Sequence, residues 1–259
     1  EALDRPAEAA AHRALAERIA AAFRGAFVGA DGVIHGDTQC AYALALAFDL
    51  LPAADRPLAA ALLAERVRER DVHIATGFVG TPYMCATLAD HGYLDLAYQL
   101  LRNDSYPSWG YSIRHGATTV WERWDGWTDA GGFQTPAMNS FNHYAYGAIG
   151  DWMARVVAGL DTHPDHPGYQ HLRLAPRPGG GLTWARAALL TPHGRASCHW
   201  ELEPCGALTL TVEVPTNATA EVIVPTDVPD RVEADPAARQ TGPGRYEVGS
   251  GQWQFRAPA

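Results

Sequence analysis

Residues 38–50 constrain the fold more than any other stretch. Ala41, Tyr42, Ala43, Leu44, Ala45, Leu46, Ala47 and Phe48 form a run of helical length with no polar side. A helix that is apolar all round must be buried all round, so it needs neighbours, and the sequence supplies them in alternation. Residues 6–28 read as an amphipathic helix, with Pro6 in its first turn and Leu15, Ile19 and Phe23 at helical spacing. Asp37 is the expected cap of the 38–50 helix, and Pro52 stops it. Residues 56–70 are amphipathic again, with Glu65, Arg66, Arg68, Glu69 and Arg70 toward water. Residues 76–89 are apolar and small, and Gly92 parts them from a helix at 93–102. After a long irregular stretch, 103–138, Asn139 or Ser140 is expected to cap a third apolar helix. It runs through Ala145, Tyr146, Ala148, Ile149, Trp152 and Val156 to Gly159.

Outer amphipathic helices thus alternate with inner apolar ones, in about three hairpins. Such stacking makes either a solenoid or a closed α/α toroid. The inner helices begin in polar or glycine-rich residues: Gly36-Asp37-Thr38-Gln39, Ala75-Thr76-Gly77-Phe78 and Asn139-Ser140-Phe141-Asn142-His143. If the inner helices run parallel, those ends share one face, and the 103–138 excursion lies on it. Loops of that length inside a compact domain are usually functional.

The composition changes after Leu160. Residues 161–168 read as a turn-rich linker. Short alternating runs follow at 171–174, 182–187, 207–214, 220–224, 246–248 and 252–255, punctuated by Gly and Pro. That is the pattern of an antiparallel β-sandwich. The expected organisation is therefore a helical domain over 1–160 and a β domain over 161–259.

Composition narrows the function. With 47% hydrophobic and 19% charged residues, the chain can bury a sizeable core and is not of disordered type. The net charge is −9, and all 20 basic residues are arginine. The absence of lysine excludes Schiff-base chemistry and a P-loop. No basic patch stands out, which argues against nucleic acid, and no apolar run is long enough to span a bilayer. Cys40, Cys85, Cys198 and Cys205 show no CxxC spacing and are expected unpaired, Cys198 and Cys205 included. The chain begins at Glu1 without Met and without a signal-like segment. It is read as a piece of something longer, with the cytoplasm favoured. His163-Pro164-Asp165-His166 reads as a turn rather than a metal site, and Gly179-Gly180-Gly181 lacks dinucleotide spacing. No cofactor and no metal are expected, and the oligomeric state is not indicated.

The chemistry concentrates in one stretch. Trp109, Trp121, Trp124 and Trp127 are four of the eight tryptophans, and Glu122 sits among them. Flat apolar rings beside a carboxylate suit a sugar, covering its apolar face while polar groups fix its hydroxyls. The competing reading is an aromatic packing cluster, with Glu122 ion-paired to a nearby arginine and His143 a capping or core histidine. Arg123 and Asp125 then hold the loop, or support the site from behind.

Three runs carry a family resemblance: Tyr106-Pro107-Ser108-Trp109-Gly110-Tyr111, Gly116-Ala117-Thr118-Thr119-Val120-Trp121-Glu122-Arg123-Trp124-Asp125-Gly126, and Met138-Asn139-Ser140-Phe141-Asn142-His143-Tyr144-Ala145-Tyr146-Gly147. They resemble the bacterial α-L-rhamnosidases, and the likeness extends over nearly the whole chain. It implies a partial (α/α)6 six-hairpin toroid of about three hairpins, then a C-terminal antiparallel β-sandwich. It further implies inverting hydrolysis of terminal α-L-rhamnose from a rhamnose-containing glycoside or oligosaccharide. By that resemblance Glu122 is the general base and His143 a sugar contact, with Trp121, Trp124 and Asn142 as further substrate-binding residues. The family's general acid lies in an upstream acidic motif that residues 1–103 do not contain. An inverting enzyme needs both carboxyl groups, roughly 6.5–9.5 Å apart, so the isolated chain is expected to be nearly inactive. In the complete enzyme Glu122 is expected at the bottom of a pocket where the inner-helix N-termini converge, near His143 and Trp121 or Trp124. The alternatives are a related (α/α)6 glycosidase for another sugar and a silent carbohydrate-binding or scaffold fragment.

Overall fold

The computed structural model describes residues 3–259; Glu1 and Ala2, at the start of the expected helical domain, lie outside the described residues. The chain divides into two compact units, Leu3–Ile149 and Gly150–Ala259.

The first unit is helical. Helix α1 (Pro6–Phe27) starts at a proline in its first turn and buries none of its side chains. Leu15, Ile19 and Phe27 stay exposed, while Phe23 is half-buried and meets Phe27 at 5.4 Å. Helix α2 (Gln39–Ala47) buries Gln39, Tyr42, Ala43, Ala45 and Leu46. Its cap is Thr38, not the expected Asp37: the Thr38 hydroxyl accepts the Ala41 N–H at 3.2 Å. Asp37 instead adopts positive φ and accepts the Tyr42 hydroxyl at 2.6 Å. Burial first, and Asp37 second, push the Tyr42 phenol up to about 12. Gln39 explains why the start of this helix is polar. Its amide donates to the carbonyls of Arg66 and His73 and accepts the Ala75 N–H at 2.8 Å. One buried side chain thus ties α2 to the end of α3 (Arg56–Arg68) and to the approach to α4.

Helix α4 begins later than expected, spanning Thr81–Asp90 rather than 76–89. The Thr81 hydroxyl meets Thr76 at 2.8 Å and the Gly77 carbonyl at 2.9 Å, which spends the preceding residues on a turn. Helix α5 covers Leu94–Arg102. Helices α2 and α4 bury a larger share of their residues than α3 and α5, as the inner and outer assignment requires. Burying each leucine such as Leu63, Leu88 or Leu100 contributes about 1.5–3 kcal/mol. The 103–138 stretch is less irregular than expected. It contains helix α6 (Trp109–Arg114), capped by the Ser108 hydroxyl, and a small hairpin, β1 (Trp127–Thr128) with β2 (Gly132–Phe133).

The third inner helix is not continuous. Residues 139–144 form no helix at all. The chain then passes through a 3₁₀ turn (Ala145–Ala148), one α turn (Ile149–Trp152) and a π turn (Met153–Val157). The reason is hydrogen-bond accounting. The Ser140 N–H goes to the Glu122 carboxylate and the His143 N–H to the Val120 carbonyl, while the Ser140 carbonyl accepts the Glu122 N–H. Those groups are not available for a helical turn.

The second unit is the expected sandwich of two five-stranded sheets. Its strands are β3 (Leu160–Thr162), β4 (His171–Leu174), β5 (Trp184–Thr191), β6 (Gly194–Leu202), β7 (Leu208–Val214), β8 (Thr219–Ile223), β9 (Glu233–Ala234), β10 (Arg239–Gly242), β11 (Arg245–Val248) and β12 (Gly251–Ala257). One sheet has the order β10-β11-β8-β4-β3 and the other β5-β6-β7-β12-β9. All pairs are antiparallel except β4 with β8, which is parallel. Alternation fixes the core face: in β7, Leu208, Leu210, Val212 and Val214 are buried while Thr209, Thr211 and Glu213 are not. Leu172, Leu174, Trp200 and Phe255 complete the core, and the Trp200 indole N–H donates to the Val157 carbonyl at 2.7 Å. Strand β6 is absent from the expected runs, and β3 lies where a linker was expected.

Candidate active site

Glu122 lies on a short segment, 119–122, laid against 140–143. Two backbone bonds join them, Glu122 N–H to Ser140 carbonyl at 2.9 Å and His143 N–H to Val120 carbonyl at 2.8 Å. The Thr119 hydroxyl also donates to the Phe141 carbonyl. Within this frame the Glu122 Oε2 accepts the Ser140 N–H at 2.7 Å. No other hydrogen bond and no ion pair engages the half-buried carboxylate among the described residues, so Oε1 is left for solvent or ligand. No arginine among the described residues pairs with Glu122, and the neighbouring Arg123 turns to Asp125. Arg123 makes a bidentate pair with Asp125, Nε to Oδ1 at 2.9 Å and Nη2 to Oδ2 at 2.8 Å. That pair raises the guanidinium pKa further, first through the hydrogen bond itself.

The next turn is locked from several directions. The Trp124 indole stacks on Tyr146 at 3.9 Å and 7°, and its N–H donates to the Thr76 carbonyl at 2.8 Å. Trp109 stands edge-on to Trp124 at 5.3 Å and donates to the Tyr146 carbonyl at 2.9 Å. Burial first, then the nearby Asp125, pushes the Tyr146 phenol up to about 12. The chain passes close at Gly126: a Cβ there would fall 2.8 Å from Asn139 Oδ1, and the Asn139 amide nitrogen donates to the Gly126 carbonyl at 2.9 Å.

These rings bound a cleft of about 240 Å3, whose walls include Trp109, Trp121, Trp124, Arg123 and Tyr146. Trp121 is buried and meets Phe141 edge-on at 5.1 Å. Of the residues singled out in the sequence, Trp121 and Trp124 therefore come together. Glu122, Asn142 and His143 line neither this cleft nor its neighbour. The expected pocket floor under Glu122 concerns the complete enzyme; in this chain the Glu122 carboxylate turns to the Ser140 amide. His143 is half-buried, stacked on the exposed Tyr144 at 5.0 Å, and its Nδ1 accepts the Ala145 N–H at 3.3 Å. A neutral imidazole accepting at Nδ1 carries its proton on Nε2, which makes that atom a donor. Asn142 is exposed; its N–H donates to the Ser140 hydroxyl at 3.1 Å. Tyr146, read as an ordinary core residue, turns out to be the platform under Trp124. Nothing in their spacing of 22 residues signals that stacking.

Outside this region, His163, His166 and His171 gather with ring centroids 4.9–5.5 Å apart. Burial, then His163 and His166, push the His171 pKa down. Among the described residues no group of three or more His, Cys, Asp or Glu is placed to hold a metal ion, and no helix is long and apolar enough to cross a membrane. The four cysteines are free.

Comparison with known proteins completes the description. Residues 1–157 match the family model of the bacterial α-L-rhamnosidase 6 hairpin glycosidase domain, and residues 159–238 that of the bacterial α-L-rhamnosidase C-terminal domain. The chain is 46% identical over 251 residues to an α-L-rhamnosidase of Streptomyces avermitilis, covering 96% of this chain and 24% of that protein. It is 44% identical over 237 residues to one from Formosa agariphila, covering 91% and 25%. Among solved structures, the Streptomyces avermitilis α-L-rhamnosidase complexed with L-rhamnose superposes with a TM-score of 0.89, at 46% identity over 96% of this chain and 24% of that one. Native α-L-rhamnosidase from Aspergillus terreus gives 0.87, at 34% identity over 98% and 28%. The chain thus spans about a quarter of the length of these relatives. With more than half its residues in one family model, a fold shared at high TM-score and the aromatic loop in place, the chain belongs to the bacterial α-L-rhamnosidase family.

Proposed function

We propose that this chain supplies the general-base side of an inverting α-L-rhamnosidase, with Glu122 as the base. The observation that carries this is the state of its carboxylate: one oxygen is fixed by the Ser140 N–H at 2.7 Å, and among the described residues no group engages the other. A base must be held in direction yet leave an oxygen for the water it deprotonates. In the reaction, the water oxygen attacks the anomeric carbon and its proton passes to Glu122. The bond to the leaving oxygen breaks, and that oxygen takes a proton from a general acid on the opposite face of the sugar. The acid belongs to a part of the protein outside this chain. Trp121 and Trp124 present apolar faces to the sugar ring, and the Nε2–H of His143 and the amide of Asn142 are donors for its hydroxyls. The relative solved with L-rhamnose favours that sugar over another hexose.

In the complete protein Glu122→Gln keeps the size and the Ser140 contact but removes the base. The turnover number on an aryl α-L-rhamnoside should fall by about 10²–10⁴, with little change in KM and little change in Tm. Near-normal turnover with a lowered Tm would make Glu122 a structural carboxylate.

A further inference from the structure

The function proposed above makes no use of three histidines gathered in the β domain. His163, His166 and His171 meet ring to ring, with centroids 4.9 Å apart for His163 and His171 and 5.5 Å apart for the other two pairs. They lie where the chain turns from β3 into β4. The backbone ties the same residues together: the His163 N–H donates to the His171 carbonyl and the His166 N–H to the His163 carbonyl, both at 3.0 Å. The turn between them is not relaxed. Tyr169 is held at a φ of 63°, which strains a bulky residue, so side-chain packing rather than backbone preference keeps it closed.

The cluster is built for uncharged rings. His163 Nδ1 accepts the Asp165 N–H at 3.3 Å, which an imidazolium cannot do. His171 is half-buried, and its Nδ1 meets the Thr219 hydroxyl of β8 at 2.7 Å. Neighbouring carboxylates do little to favour charge here. Glu221 on β8 pulls the His171 pKa up, but less than burial and the other two rings pull it down. It is shared between Arg173 on β4 at 3.6 Å and Arg245 on β11 at 3.2 Å. Glu247 on β11 pairs with Arg239 on β10, and Asp161 on β3 with Arg155 at 2.9 Å. Asp165, exposed in the turn itself, is the remaining carboxylate, and no ion pair engages it among the described residues. We propose that His163, His166 and His171 form a pH-sensitive latch: uncharged, they pack together and close the β3–β4 turn; charged, they repel one another and release it. The turn is one wall of a cavity of about 690 Å3 completed by Asn217, Thr219 and Glu247, so release reshapes that cavity.

The sign follows from linkage. In the closed turn His171 titrates below the 6.5 of an ordinary imidazole, to which it returns when the turn opens. The open turn therefore takes up protons first. Closure is favoured in full above pH 6.5 and is lost as the pH falls from there through the folded value. Ring-proton NMR of the full chain between pH 8 and 5, with amide hydrogen exchange corrected for its intrinsic pH dependence, tests this. His171 should titrate below 6.5, and the amides of His163 and His166 should lose about tenfold in protection from pH 7.5 to 5, the effect of one pKa unit. His166→Asn, at an exposed position where folding is not at stake, takes one charge out of the cluster. It should return the His171 titration toward 6.5 and shrink the loss of protection. His12→Asn, on the exposed helix α1, should do neither. A His171 that titrates at or above 6.5, protection that is equal at the two pH values, or a loss that His166→Asn leaves unchanged would each overturn the proposal.

Discussion

Residues 39–47 and 139–157 share an apolar composition but handle their backbones in opposite ways. The first is a regular helix, closed by the Thr38 cap, with Gln39 reaching sideways to join its neighbours. The second abandons helix for six residues because its amides serve the 119–122 segment, and when it winds up again it passes through three different pitches. Mixed pitch of this kind is frequent near functional sites. The lesson is that the candidate site exists because one inner element does not complete its own hydrogen bonds. Glu122 is positioned by an amide that a continuous helix would have kept to itself.

That contrast can be attacked from both sides. The largest effect is expected where the irregular region is held together by rings rather than by a ladder. Trp124→Ala removes the stack on Tyr146 and the bond to Thr76. It should cost roughly 3 kcal/mol, read by denaturant unfolding as a lower midpoint. A loss under about 1 kcal/mol would mean that the loop keeps its shape without its rings. On the regular side, Thr38→Ala removes a helix cap and should cost about 1 kcal/mol, with far-ultraviolet helix signal largely intact. No measurable loss would imply that Gln39 alone secures that helix end. The smallest effect concerns pH. The Tyr42 phenol is held up to about 12 in the folded chain, against 10 for the free group. The unfolded chain therefore loses this proton first. The stabilisation is full below pH 10 and declines as pH rises toward 12. Tyr42→Phe should flatten that part of the stability profile, and an unchanged alkaline slope would show that another group sets it.

Much was legible beforehand, for a definable reason. Alternation in 208–214 and the all-round apolar run at 41–46 report which faces are buried, and burial follows from periodicity in the chain itself. The cluster of tryptophans around Glu122 was equally visible. Strand β6 was not, although it alternates: its buried positions are Ala196, Cys198 and Trp200, small or isolated residues among Arg195, Ser197, His199 and Glu201. The cap moved from Asp37 to Thr38 because Tyr42, five residues on, competes for the Asp37 carboxylate.

By itself the sequence determined two regimes, helical and then β, the inner and outer roles of α2 to α5, and the loop that carries the candidate site. These follow from local spacing, since a helix or a strand shows its buried face at a fixed period. Only the tertiary structure decided the parallel pairing of β4 with β8, the seat of Trp124 on Tyr146, and the Ser140 amide that orients Glu122. Each joins residues distant in the chain, and hydrogen bonds between distant residues leave no period in the sequence to be read.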